Sequence, residues 1–199
     1  MGITPAKADG IVGVVLAGGQ SRRMQGPDKA LLTLGGITLL DRAIANLAPQ
    51  VGQVIVSANS AYEVDVPVVA DCLEGGLGPL VGLLSAMEWA DSAGQGFTHL
   101  VSISVDAPLV PVDLVPQLSA VFGPAVVVRS QGRTHPTIGM FAIDLAPSLR
   151  GYLESGGRKA GAWVQDMGAQ VVEFDASDTD PFLNINTPKD LDHPALKFL

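Results

Sequence analysis

Short apolar runs rich in Val and Ile alternate along the chain with longer stretches whose apolar residues recur at helical spacing. A strand that reads as a near-continuous apolar run is buried on both faces, which requires helices above and below a mostly parallel sheet. The expected class is therefore α/β. Strands are expected over residues 11–16, 53–58, 66–70, 99–105, 125–129, 137–142 and 170–174, and helices over 38–47, 79–90, 111–122, 144–153 and 160–167. Thr38 reads as an N-cap ahead of the stripe Leu39, Leu40, Ala43, Ile44 and Leu47. Pro79 reads as the opening residue of a helix that continues through Leu80, Leu83, Leu84 and Met87.

The run Ile11-Val-Gly-Val-Val15 leads directly into Leu16-Ala-Gly-Gly-Gln-Ser-Arg-Arg-Met-Gln-Gly-Pro-Asp-Lys29. Gly18 and Gly19 lack a Cβ, so the backbone can turn sharply and present N–H groups to a polyanion. Arg22, Arg23 and Lys29 can then neutralise it. The chain has no Lys or Arg between Arg42 and Arg129, so three of its twelve basic residues sit in this one loop. A net charge of −8 argues against duplex nucleic acid, which calls for a basic face and not one basic loop, and a small phosphorylated ligand fits better. The loop is neither a Walker A sequence nor Gly-x-Gly-x-x-Gly, which removes the main support for ATPase and NAD readings. A tight turn with solvated arginines is the competing reading, and the Arg-Arg-Met and Asp-Lys elements weigh against it.

A length of 199 residues suits one domain, expected over 11–199 after a flexible lead over 1–10. No stretch reaches the roughly 18 consecutive apolar residues of a membrane span, and the opening residues do not read as a signal peptide. No membrane partner is expected. Cys72 is the only cysteine, which excludes an internal disulfide and suits a cytoplasmic location. His99, His135 and His193 are far apart in sequence, which argues against a zinc cluster.

Several polar residues stand where apolar strands end. In Leu100-Val-Ser-Ile-Ser-Val-Asp106-Ala-Pro, the carboxylate falls at the carboxyl edge of the sheet, where open α/β sheets bind ligands. Asp106 reads either as a Mg²⁺ ligand or as the residue of an Asx turn or helix cap. Asp71 contacts a ligand or caps the turn that leads to Gly75-Gly-Leu-Gly78, and Asn59 is a site amide or a turn residue. Asn184 and Asn186 occupy alternate positions of an expected short strand and so share one face, while Thr187-Pro-Lys-Asp190 makes a sound helix start. His135-Pro-Thr137 and Gly156-Gly-Arg158-Lys159 complete these polar clusters, with a structural role favoured for His135 taken alone.

Together these residues resemble the molybdenum cofactor guanylyltransferases, nucleotidyltransferases with a three-layer, glycosyltransferase-A-like Rossmann fold. The resemblance runs from about Val12 to Asp190. Its opening motif specifies only the superfamily. The combination of Leu16-Ala-Gly-Gly19, Asn59, Asp71, Gly78-Pro-Leu-x-Gly82, Asp106-x-Pro108, His135-Pro-Thr137 and Asn184-x-Asn186-Thr-Pro188 is more discriminating. Two positions depart from the family pattern: Gln25 where glycine is frequent, and Val81 where alanine is frequent.

The resemblance implies that Leu16, Ala17, Gly18, Gly19, Lys29, Asn59, Asp71 and Asp106 contact nucleotide, with Asp106 also the Mg²⁺ ligand. His135, Asn184 and Asn186 would face the acceptor. It implies transfer of GMP from GTP to the terminal phosphate of molybdopterin with release of pyrophosphate, and protein partners that deliver the pterin or receive the product. Loop N–H groups, Arg23 and Lys29 would hold the β- and γ-phosphates. Arg22 is the weaker candidate of the arginine pair, because it occupies a variable position of the motif. A cytidylyltransferase on the same pterin, another small nucleotidyltransferase, and a nonenzymatic nucleotide- or pterin-delivery module are the alternatives.

Overall fold

The computed structural model describes residues 8–18 and 28–197. Its elements run β1 (Ala8–Leu16), a 3-10 turn (Lys29–Leu31), β2 (Thr33–Leu34), β3 (Ile37–Thr38), α1 (Leu39–Leu47), β4 (Val51–Ser57), β5 (Val68–Val69), α2 (Pro79–Ser92) and β6 (His99–Ser104). They continue with α3 (Leu114–Ser119), β7 (Ala125–Ser130), β8 (Arg133–Ala142), α4 (Ala146–Glu154), α5 (Ala160–Asp166) and β9 (Gln170–Glu173). Seven strands form one sheet in the order β5-β4-β1-β6-β8-β7-β9, and β2 with β3 forms a separate hairpin. Within the large sheet only β8 runs against the others.

Helices cover both faces, as the doubly buried strands demand. One core layer gathers Val15, Val54, Val56, Val101 and Ile103 with Leu39, Leu40 and Leu47 of α1 and Leu114 and Leu118 of α3. The other gathers Val12, Val14, Ile55, Leu100 and Val127 with residues of α2, α4 and α5, including Leu80, Leu149 and Trp163. Neighbouring strand residues therefore serve opposite cores, following the two-residue period of a strand. The class is α/β with a single domain, as the alternation predicts.

Local signals behave as expected where a cap or proline sets the geometry. Thr38 Oγ1 accepts from Asp41 N at 3.0 Å and starts α1, and Pro79 is the first residue of α2. Val81 is buried among the α2-side core residues, where its extra bulk relative to alanine is accommodated.

The departures have physical causes. β1 reaches back to Ala8, taking residues 8–10 of the expected lead into the sheet. The helix expected over 111–122 shrinks to Leu114–Ser119, because Pro116 is tolerated only in a first turn and a start before Val112 would set its ring against a helical carbonyl. α4 starts at Ala146 with Pro147 in its first turn, where a missing N–H costs nothing, and a separate 3-10 turn, Ile143–Leu145, precedes it. β8 begins at Arg133, not residue 137, paired to β7 through the two-residue turn Gln131-Gly132 with φ of 48° and 72°. Pro136 sits where the β7–β8 register shifts, a place that does not need its missing N–H. Residues 184–186 join no strand ladder, so the expected strand there is absent.

Candidate active site

Parallel strands β1, β4 and β6 end in register, with Leu16 beside both Ser57 and Ser104. Residues just past these ends therefore converge on one edge. A small pocket there is lined by Leu16, Gly18, Ser57, Asp71, Gly78, Pro79 and Gly82. Its wall includes the start of α2, a 14-residue helix whose N-cap Gly78 offers no side chain, so first-turn N–H groups and the positive end of the helix dipole meet the pocket. Gly82 makes that approach possible: a Cβ there would stand 2.5 Å from Ser57 Oγ and 3.3 Å from Leu16 Cδ2. By contrast, a Cβ on Gly18 meets nothing closer than Ser57 O at 3.7 Å. What a side chain at Gly18 would intrude on is the pocket.

Asn59 and Asp71 bind each other twice. Asn59 Nδ2 donates to Asp71 Oδ2 at 2.8 Å, and Asp71 N donates to Asn59 Oδ1 at 2.9 Å. The closed ring fixes the Asp71 carboxylate on the pocket wall and uses the asparagine as its brace. Ala17 N and Gly18 N both donate to the Ser57 carbonyl, at 3.0 and 3.1 Å. These two amides thereby tie the start of the loop to the end of β4. Gly19, Arg22, Arg23 and Gln25 lie outside the described residues.

Next to this pocket, three chain segments meet at Asp106. Ser104 Oγ donates to Asp106 Oδ1 at 2.5 Å, Lys29 Nζ lies 3.5 Å from Asp106 Oδ2, and Lys29 Nζ donates to Asn186 Oδ1 at 3.1 Å. Ile185 N donates to the Asp106 carbonyl at 2.8 Å, which clips the segment bearing both asparagines to the strand end. The side chain of Asp106 caps neither a turn nor a helix, and α3 starts instead at Asp113. Lys29 is itself placed by Asp28, whose carboxylate accepts from Ala30 N at 3.0 Å and from Tyr62 Oη at 2.7 Å. Burial and that carboxylate push the Tyr62 hydroxyl well above its ordinary pKa, so it remains a donor.

Asn184 Oδ1 is buried without a hydrogen-bond partner among the described residues, an acceptor left for a ligand. His135 lies elsewhere. It is buried beneath the 180–186 segment, with its ring 5.3 Å from that of Phe182. Ser130 gives its single hydroxyl proton to Asp180 Oδ1 at 2.7 Å, so Ser130 Oγ accepts from His135 Nε2 at 2.9 Å. Burial lowers the His135 pKa against the attraction of Asp180 and keeps the ring neutral. Its contacts make it an anchor for the segment that carries Asn184 and Asn186. Arg158 similarly serves structure, donating to Leu153 O at 2.8 Å at the end of α4.

The donor set at Asp106 fits magnesium. No group of three His, Cys, Asp or Glu side chains among the described residues could cage a metal. Mg²⁺ asks for less, binding through one or two carboxylates and taking its remaining oxygens from phosphates and water.

A family model for the MobA-like NTP transferase domain matches residues 13–171. The chain belongs to that family. As a MobA-like NTP transferase it is a nucleotidyl-transfer enzyme, and the pocket and the Asp106 cluster lie inside or just beyond the matched span. A molybdenum cofactor guanylyltransferase from Mesorhizobium japonicum is 40% identical over 197 residues, covering 93% of this chain and 94% of its own. One from Acidiphilium cryptum is 42% identical over 184 residues, covering 90% and 91%. The molybdopterin-guanine dinucleotide biosynthesis protein A from Archaeoglobus fulgidus shares the fold, with a TM-score of 0.73 at 22% identity over 92% of this chain and 95% of that one.

Sequence reasoning missed Ser57, Ser104, Gly82, Asp28 and Tyr62 as site residues of this MobA-like NTP transferase. The serines did leave a signal, since each is the last residue of a strand and stands at the same register beside Leu16. Among the described residues no helix is long and apolar enough to cross a membrane.

Proposed function

We propose that this MobA-like NTP transferase moves GMP from GTP to the terminal phosphate of molybdopterin, forming the guanine dinucleotide cofactor and releasing pyrophosphate. The observation that carries the reading is the junction of Lys29, Asp106 and Asn186 beside the α2 pocket. There a cation, a carboxylate and an acceptor-side amide meet at one strand edge. The names borne by the relatives at about 40% identity supply the nucleotide and the acceptor.

The acceptor phosphate oxygen attacks the α-phosphorus in line, the bond to the β-phosphate oxygen breaks, and pyrophosphate leaves with the electron pair. The attacking oxygen is already ionised, so no general base is needed. Positioning and charge stabilisation remain for the protein. Asp71, braced by Asn59, lines the nucleotide pocket, and the α2 N-terminus favours anionic oxygens there. Lys29 stabilises charge on the phosphates, and its bond to Asn186 sets the acceptor segment against the same point. Asp106 would hold Mg²⁺ through its carboxylate, and the ion would supply neutralisation of phosphate charge.

The test is pyrophosphate release by purified protein with Mg²⁺ and molybdopterin, comparing GTP, CTP and ATP. Release selective for GTP is expected, with Asp106→Ala lowering turnover roughly 10²- to 10³-fold in a folded protein. Preference for CTP would reassign the nucleotide. A loss below about threefold in Asp106→Ala would remove the role given to that carboxylate.

A further inference from the structure

A groove of about 360 Å³ lies between α5, the carboxyl end of β7 and the amino end of β8, a size within the range of small-molecule sites. Its floor is apolar, formed by Val127, Pro136, Val164 and Val171. Arg129, Thr134 and Gln165 bring polar groups to it. Arg129 Nε donates to Thr134 Oγ1 at 3.3 Å, and the same atom is 4.0 Å from a Glu173 carboxylate oxygen. The guanidinium is thereby oriented through one nitrogen, and among the described residues its two terminal nitrogens are left for a ligand.

The strand period puts this groove on the face of the sheet toward which Ser104, the serine bonded to Asp106, points. Along β7, Val126 and Val128 face the α1 and α3 core while Val127 faces the α2, α4 and α5 core, so Arg129 shares the latter face. Along β6, Val101 and Ile103 face the first core and Leu100 the second, so Ser104, which bonds Asp106, also faces the second. Only β8 separates the two strands, a span of about 10 Å at two strand spacings. The link across β8 is direct: Ser102 Oγ donates to Thr137 O at 2.7 Å, and the adjacent Pro136 lines the groove.

We propose that the groove binds the fused heteroaromatic ring of the acceptor, placing the ring of a pterin there while its phosphate reaches Asp106. This rests on the reading of the acceptor as a pterin phosphate. The aliphatic floor suits the faces of a flat bicycle. The planar guanidinium of Arg129 suits a ring carbonyl and adjacent nitrogen, and the Gln165 amide can pair with a ring edge that offers both N–H and C=O groups.

Gly161 provides the test, because it lines the groove and a Cβ on it meets nothing within 4 Å. Leucine at this α5 position projects into the groove from an unobstructed Cβ, and it favours helix more than glycine does. Gly161→Leu and Arg129→Ala are expected to raise the acceptor KM about tenfold or more while leaving the GTP KM within about twofold. Gly151→Leu, an open position on α4 outside the groove, should change neither. Binding of 6-hydroxymethylpterin, followed by its fluorescence, should saturate with the parent protein and be lost in Gly161→Leu. If the parent protein turns over molybdopterin and both groove variants keep its acceptor KM, the groove assignment is wrong and the reaction assignment stands. If the parent protein turns over no pterin acceptor, the reaction assignment fails and the fluorescence decides the groove: saturable binding lost in Gly161→Leu supports it, and no binding overturns it.

Discussion

Lys29 Nζ donates to Asn186 Oδ1 at 3.1 Å, joining the loop after β1 to a segment 157 residues later, and the same ammonium stands 3.5 Å from Asp106 Oδ2. One cation thus touches both the strand-end carboxylate and the acceptor-side amide. Removing it should affect chemistry more than folding, because the pair is partly solvated and surface ion pairs stabilise little. Lys29→Ala is expected to lower turnover roughly 10²- to 10³-fold, the usual range for a lost transition-state contact. Asn186→Ala removes one hydrogen bond worth about 1 kcal/mol, roughly a fivefold loss. Steady-state kinetics on both variants would check the order, and a larger effect for Asn186→Ala would mean that Lys29 is secondary to the amide.

Ser130 is the middle of a buried chain from His135 to Asp180, and Asp180 Oδ1 also accepts from Phe182 N at 2.9 Å. Ser130→Ala leaves a buried imidazole N–H without its acceptor and a carboxylate short of a donor. A stability loss of about 1–3 kcal/mol is expected, measured as a shift in denaturant midpoint at unchanged slope. Because Phe182, which packs on the His135 ring, and Ile185 root the 180–186 segment in the core, the acceptor KM should rise more than the GTP KM. A variant with parental stability would show that the chain does not hold the segment.

Asp190 Oδ2 accepts from Thr187 N at 2.7 Å and from Asn186 N at 2.8 Å. Those two backbone bonds hold its carboxyl below the usual carboxylate range, and the positive charge of Lys29 acts in the same direction. A group whose pKa is depressed on folding adds stability that is present above its unfolded value and is lost as pH falls through its folded value. The turn after Asn186 should therefore stay closed down to below about pH 3.9, the ordinary aspartate value, and loosen under it. Amide chemical shifts of Asn186 and Thr187 would follow this transition. A midpoint at or above the ordinary value would contradict it, and Asp190→Asn should abolish the step.

The central strands and the site edge were legible because one force shaped both signals. β1 and β6 are buried on two faces, so their apolar runs mark their position, and the polar residue that ends each run marks the edge. Asp71, Asn59 and Asp106 could be placed from that rule, and Lys29 from the basic, glycine-rich loop that follows β1. The start of β8 was not legible, since Arg133-Thr-His-Pro has no apolar run and is held by a two-residue turn and pairing to β7. The anchoring role of His135 depends on Ser130 and Asp180, which no spacing relates. The groove beside α5 was equally hidden, because Arg129, Thr134 and Gln165 come together only through strand order and helix packing.

Gly82 sets how closely α2 approaches the ends of β1 and β4, and it lines the pocket assigned to nucleotide. For Gly82→Ala two effects oppose each other. Alanine favours helix over glycine by about 1 kcal/mol. The added Cβ would meet Ser57 Oγ at 2.5 Å and Leu16 Cδ2 at 3.3 Å, and overpacking of that kind costs about 1–3 kcal/mol. Ser57 can turn its hydroxyl aside, but only by moving it along the pocket wall. Stability should therefore change by no more than about 2 kcal/mol, while the GTP KM rises several-fold and the acceptor KM stays unchanged. Calorimetric GTP binding together with thermal unfolding separates these effects. Parental GTP affinity in a folded Gly82→Ala would place the nucleotide away from the α2 pocket.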